Sequence, residues 1–506
     1  MTTPILTIFA DPGLESETRD ILHREPRLDE LAEVASLASR SPAGTAAHLL
    51  VTPQGIGFPL DWQQFLPPYL LPEWLPLKAE VLLGIVMARL GNYDKSRAWL
   101  EAYPALRQEL EVVRRMQEGQ PVDPDELVSE YSEFEAYRLM HNNAIVRHYA
   151  SAPDRFSLHH TRYFYEEALH AATDEVFRAF TALHYATLLT DTGDLDYAEA
   201  VLRGALSETS DPFARVELQN ALNAAWMRKL TAPYDPELLD ALKHSLWEVL
   251  QVYEQQERSV PAALALVDAS YIANICDSFA ESLGYINRAI EIFRREEIPE
   301  LLANAEMRKG TLLYTWAKQG NPQFYRMAVN AFQEALKVYT REDTPEVFAE
   351  IHHYLGVIYS EIPDEARKKS VWAAISSASF QEALQVFTRE THPYEYAMVC
   401  NSYGNALTKY PDAVRSDNFT RALAYYQEAL DIRTAKDYPL ERALTLLNHI
   451  EACWYAGNDP DQFNEGRYLD MVAKALEVKE LTDDPRLLAD AQRHLEKLDE
   501  LRESFA

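Results

Sequence analysis

Two Glu-x-x-His strings, Glu167 with His170 and Glu350 with His353, have the spacing with which helical bundles hold paired iron or manganese ions. Residues three apart share one face of a helix, but such a centre also needs two glutamates from facing helices. Glu350 and His353 fall inside a repeated template whose next copy carries Met398 and Asn401 at the same places. A metal-dependent helical enzyme is therefore the weaker reading. His141 and His148 precede the adjacent His159 and His160 without forming a ligand set, and helical histidines are more often satisfied core or surface residues. Cys276, Cys400 and Cys453 lie far apart with no Cys-x-x-Cys pair, which indicates neither a zinc site nor a disulfide framework and fits a reduced compartment. Neither a phosphate-cradling GxxxxGK[ST] loop nor a GxSxG nucleophile turn occurs. No catalytic residue, metal or cofactor is expected, and the chain reads as non-enzymatic.

The chain repeats packing residues. "FQEAL" begins at Phe332 and again at Phe380, and returns as "YQEAL" at Tyr426. Apolar residues three and four apart, such as Phe332, Ala335, Leu336 and Tyr339, make one helical stripe. A proline follows a fixed alanine at one spacing: Ala289 with Pro299, Ala335 with Pro345, Ala383 with Pro393, Ala429 with Pro439 and Ala475 with Pro485. Proline at the first helical position loses no needed hydrogen bond, so each is expected to start a helix, and each unit is a helical hairpin. Small residues two turns before the alanine, Ser282, Ala328, Ser376 and Ala422, let helices approach closely. Gly310, Gly356 and Gly404 stand inside the partner helices, where glycine costs about 1 kcal/mol and implies a packing need.

These residues resemble the tetratricopeptide repeat family over roughly residues 77–500. Its Leu-Gly-x-x-Tyr is met by Leu355, Gly356 and Tyr359, and its small, aromatic and alanine positions by Ala422, Tyr426 and Ala429. Further copies read "GDLDYAEAVLRGAL" from Gly193 and "LLGIVMARLGNYDKSRAWL" from Leu82, with Gly84 and Gly91 at the glycine positions. The resemblance implies an all-α fold, a right-handed α-solenoid over 77–483 that matches only loosely at 110–175. The units exceed the usual 34 residues, as bacterial arrays of this kind do. The second helix is expected to run about five residues further before the proline, and the loop in "SEIPDEARKKSVWAA" (360–374) to be extended.

Residues 484–506 form an amphipathic, charge-rich stretch, expected as a C-terminal capping helix. Residues 1–76 differ in kind: the run from Val51 to Pro76 is proline-dense and carries Trp62, Phe65, Tyr69 and Trp74. It is expected to be an irregular segment that either packs as a cap or offers its aromatics for docking. A net charge of −31 repels nucleic acid and anionic lipid and favours a neutral to basic partner. With no long apolar run and no signal-peptide pattern, the expectation is a cytoplasmic protein.

In the resembled family the first helix of each hairpin lines a concave face that touches a peptide or partner helix. Carried over through the aligned glycines, that face holds Asn304, Arg308 and Thr311; Glu350, His353 and Tyr354; Asn401, Ser402 and Asn405; and Asn448 and Glu451. An amide side chain donates and accepts at once, so asparagines in register suit an extended backbone. The resulting expectation is an adaptor, scaffold or regulatory subunit that holds a protein or extended peptide, with a peptide-sensing regulator as the alternative.

Overall fold

The computed structural model describes residues 6–39, 48–62, 67–127, 133–149, 157–411, 417–457 and 462–505. The chain divides into two compact units, 1–272 and 273–506. The first opens with β1 (Leu6–Ala10), α1 (Glu15–Leu22), β2 (Ala32–Ser36), β3 (Leu49–Thr52), β4 (Gly55–Gly57) and β5 (Trp74–Leu75). These strands form one sheet in the order β2-β1-β3-β4-β5. Strand β1 lies between β2 and β3 and is parallel to both, while β3 and β4 make an antiparallel hairpin. The irregular reading of 1–76 is thus corrected. "LTIFA" is an apolar run long enough for a buried strand, and Leu6, Ile8 and Ala10 are almost fully covered. The prolines do what proline dictates between β4 and β5, where the described residues are neither helix nor regular ladder.

Helices α2 (Ala79–Arg89), α3 (Tyr93–Trp99), α4 (Pro104–Gln117), α5 (Glu133–Tyr149), α6 (Leu158–Ala171), α7 (Glu175–Asp191), α8 (Leu195–Glu208), α9 (Pro212–Lys229), α10 (Pro236–Gln255) and α11 (Ser259–Ile275) follow. Within 110–175, where the family pattern is loose, the described residues include the end of α4 and all of α5 and α6. Burial here is organised by polar anchors as well as by apolar faces. Arg138 bridges Glu109 at 2.8 Å and Glu135 at 2.6 Å, with the arginine and Glu109 both about 3% exposed. Burial raises the Glu109 carboxyl, and the Arg138 charge opposes that rise.

The second unit holds α12 (Phe279–Arg295), α13 (Pro299–Lys318), α14 (Phe324–Ala335), α15 (Pro345–Glu361), α16 (Ala366–Val386), α17 (Pro393–Leu407), α18 (Asn418–Ile432), α19 (Pro439–Cys453), α20 (Glu465–Leu481) and α21 (Pro485–Ser504). All five repeat prolines occupy the first turn of a helix. The small residues Ser282, Ala328, Ser376 and Ala422 are fully buried. Helix α21 is capped by Asp484, whose carboxylate accepts from the Arg486 and Leu487 amides, and it buries Ala491, His494 and Leu498. Each glycine meets the ring of its own hairpin: a Cβ on Gly310 would stand 2.7 Å from Phe332, on Gly356 2.9 Å from Phe380, and on Gly404 2.5 Å from Tyr426. No real side chain fits there.

Two details depart from expectation. Helices α12 and α20 run on to Arg295 and Leu481 as expected, but α14, α16 and α18 stop at or within two residues of "FQEAL" or "YQEAL", and the residues that follow make a recurrent turn. The hydroxyl oxygens of Thr340, Thr388 and Thr434 accept from the amides of Asp343, Thr391 and Asp437 at 3.1, 3.2 and 3.1 Å. Threonine competes with the helix for backbone groups, and here it wins. The supposed long loop at 360–374 is mostly helix, because α16 begins at Ala366.

Candidate ligand-binding face

Neither Glu-x-x-His string gathers ligands. Glu167 and His170 are both exposed on α6. Among the described residues, the sole group of three whose ligand atoms converge is His449, Cys453 and Asp470, on α19 and α20. His141 is fully buried, with Nδ1 2.9 Å from Thr181 Oγ1 and Nε2 2.9 Å from the Pro68 carbonyl. His148 lies 2.7 Å from the Tyr165 hydroxyl. Burial pulls both imidazoles down to about 4. His159 and His160 are exposed.

The candidate docking aromatics are mostly spent on packing. Trp62 meets Phe180 edge-on at 5.2 Å. Tyr69 is 8% exposed and donates its hydroxyl proton to Glu109, so it is not free to dock. Trp74 is exposed in β5, and Phe65 lies outside the described residues. The mode of that packing is informative. Asn142 of α5 accepts from the Leu70 amide through Oδ1 and donates to the Leu70 carbonyl through Nδ2, both at 2.8 Å. Arg138 donates to the same carbonyl at 3.1 Å. One asparagine thus holds both polar groups of one residue of a helix-free stretch, as the chemistry of the amide allows.

In the second unit the first helices α13, α15, α17 and α19 carry the predicted face. Asn304, Thr311, Glu350, Tyr354, Asn401, Ser402, Asn405 and Asn448 are half-buried, while Arg308 and Glu451 are exposed. His353 departs from the expectation: it is buried against Phe380 and pulled down to about 4 by burial, so it is core and not lining. Arg308 donates to Asn304 at 3.0 Å. Burial raises the Glu350 carboxyl. Asn448 donates through Nδ2 to Asn401 Oδ1 at 3.2 Å across two hairpins. Asn405 accepts from Tyr426 at 2.7 Å. Asn405, Asn448 and Glu451 line a cleft of about 500 Å³ with Lys409, Phe419 and Tyr455. Tyr455, 61% exposed, stacks on Phe419 at 5.2 Å. The sequence reading missed this aromatic wall, because both residues lie outside the glycine-aligned register.

The ring-on-glycine closure, proline starts and buried small residues are those of the resembled repeat. The hairpins are tetratricopeptide-like, and the fold class is an all-α solenoid preceded by a small sheet. No protein-family model matches the chain, and no curated protein matches it. Among solved structures it is similar to the apo form of RapI, at 14% identity over 70% of this chain and 92% of that one, TM-score 0.46. It is also similar to the apo form of the quorum sensor NprR from B. thuringiensis, at 12% identity over 72% and 97%, TM-score 0.43. A third is Rap protein complexed with Competence and Sporulation Factor, at 14% identity over 70% and 96%, TM-score 0.38. Among the described residues no helix is long and apolar enough to cross a membrane.

Proposed function

We propose that the chain is a non-enzymatic adaptor that holds an extended protein or peptide segment against the face shared by α15, α17 and α19. The observation that carries this reading is the grip of Asn142 on Leu70, which shows an asparagine of this fold clasping a backbone amide and carbonyl together. Asn401, Asn405 and Asn448 offer the same amide group from neighbouring first helices on a half-buried face. The Asn401–Asn448 bond uses one carbonyl and one amino group and leaves the complementary pair to a ligand backbone. Glu451 and the Phe419–Tyr455 wall favour a neutral to basic segment.

The test is a tagged pull-down from the native cell, with the recovered protein then purified and its affinity measured. The triple variant Asn401→Ala, Asn405→Ala, Asn448→Ala, with unchanged helicity, is expected to bind at least about ten-fold more weakly, since two or more lost hydrogen bonds of roughly 1 kcal/mol each are at stake. Equal affinity would move the binding surface elsewhere.

A further inference from the structure

Helix α19 turns a second side toward α20. His449 and Cys453, one turn apart, place Nδ1 and Sγ 3.5 Å from each other in the core. Asp470 of α20 faces them, and the three ligand atoms lie within 4.8 Å of one another. We propose that His449, Cys453 and Asp470 form a binding site for a divalent cation of the zinc class, which bolts α19 to α20.

Three features carry the proposal. Metal–sulfur and metal–nitrogen legs of about 2.3 and 2.0 Å meeting near the tetrahedral angle span roughly 3.5 Å, the separation already present between Sγ and Nδ1. A thiolate, an imidazole and a carboxylate together select zinc-like ions over magnesium or calcium, which take oxygen donors. The two donors on α19 are fixed by burial, whereas Asp470 is exposed and closes the remaining gap by rotating its side chain. Lys474 and Arg467 also face the cluster. Lys474 pairs with Asp470, and the cation takes over that partner while the ammonium turns to water. On binding, the Cys453 S–H bond breaks, the sulfur–metal bond forms and the proton passes to solvent. Three protein donors leave a fourth position to water. The competing account is a plain S–H to imidazole hydrogen bond with no affinity for metal.

Because these residues lie off the asparagine face, the proposal stands or falls independently of the ligand reading. The experiment titrates the purified full-length chain with cobalt(II). Expected are a near-ultraviolet sulfur-to-cobalt charge-transfer band saturating at one equivalent, its displacement by zinc, and a higher melting temperature with zinc. Cys453→Ala is expected to lose the band, and Asp470→Asn, a surface change that spares the core, to weaken binding on the order of ten-fold. Should Cys453→Ala fail to fold, Asp470→Asn decides. Absence of the band in the wild type, or titrations of both variants that match the wild type, would overturn the site.

Discussion

At the scale of single residues, the glycine and the ring that covers it set the spacing of a hairpin. Alanine at Gly404 gains about 1 kcal/mol of helix propensity, but its Cβ would enter the Tyr426 ring at 2.5 Å. That ring is 1% exposed and its hydroxyl is held by Asn405, so it has nowhere to retreat. Overpacking of this kind costs about 1–3 kcal/mol, and Gly404→Ala is expected to lower the melting temperature. Gly204, exposed on α8 with nothing within 4 Å, is the control. There the same change is expected to stabilise by up to about 1 kcal/mol. Calorimetry of the two variants separates packing from propensity. These glycines were legible in the sequence, because a costly residue recurring inside an apolar period asks for a reason. The meeting of His449, Cys453 and Asp470 was not, since it joins residues of two helices whose rotation about their axes no spacing rule specifies.

At the scale of the element, the proline starts were legible and the helix ends were not. The stripe through Phe332, Leu336 and Tyr339 continues a helical period past the real end of α14, so periodicity alone extends the helix. Thr340, Thr388 and Thr434 end it by capturing a backbone amide. In these turns Arg341 reaches Glu382 of α16, and Arg389 reaches Glu428 of α18 at 3.4 Å. Replacing Thr388 with valine keeps the shape and removes the acceptor, at an expected cost of about 1 kcal/mol. Urea unfolding of Thr388→Val checks this, and an unchanged midpoint would reduce the turn to a by-product of the proline. The strands of the N-terminal sheet escaped notice for a related reason. They are three to five residues long where it matters, and the proline-rich run beside them dominates the composition.

For the whole molecule, neutral histidines that are buried or half-buried are distributed through both units. His141, His148, His352, His353 and His449 are each pulled down to about 4 by burial, and burial, with the histidine neighbours His141 and His148 adding to it, holds His184 well below the ordinary value. A folded-state value below the unfolded 6.5 means that the unfolded chain binds more protons. This stability is therefore complete above about pH 6.5 and drains away as pH falls toward 4. The raised carboxyls of Glu109, Glu217, Glu306 and Glu350 act in the opposite sense and offset part of the loss. Urea midpoints are expected to fall between pH 7 and pH 5. A midpoint that holds steady would mean that the imidazoles accept protons in place.

The ring-on-glycine contact joins residues only two dozen positions apart, Gly310 to Phe332, Gly356 to Phe380 and Gly404 to Tyr426. Each closure forms within one hairpin and waits for nothing downstream. Local contacts of this kind form early and make folding fast, and a stack of such hairpins grows by adding neighbours in order. On the ribosome, the second unit is accordingly built to fold one hairpin at a time as the chain emerges, each new hairpin settling on the one already made.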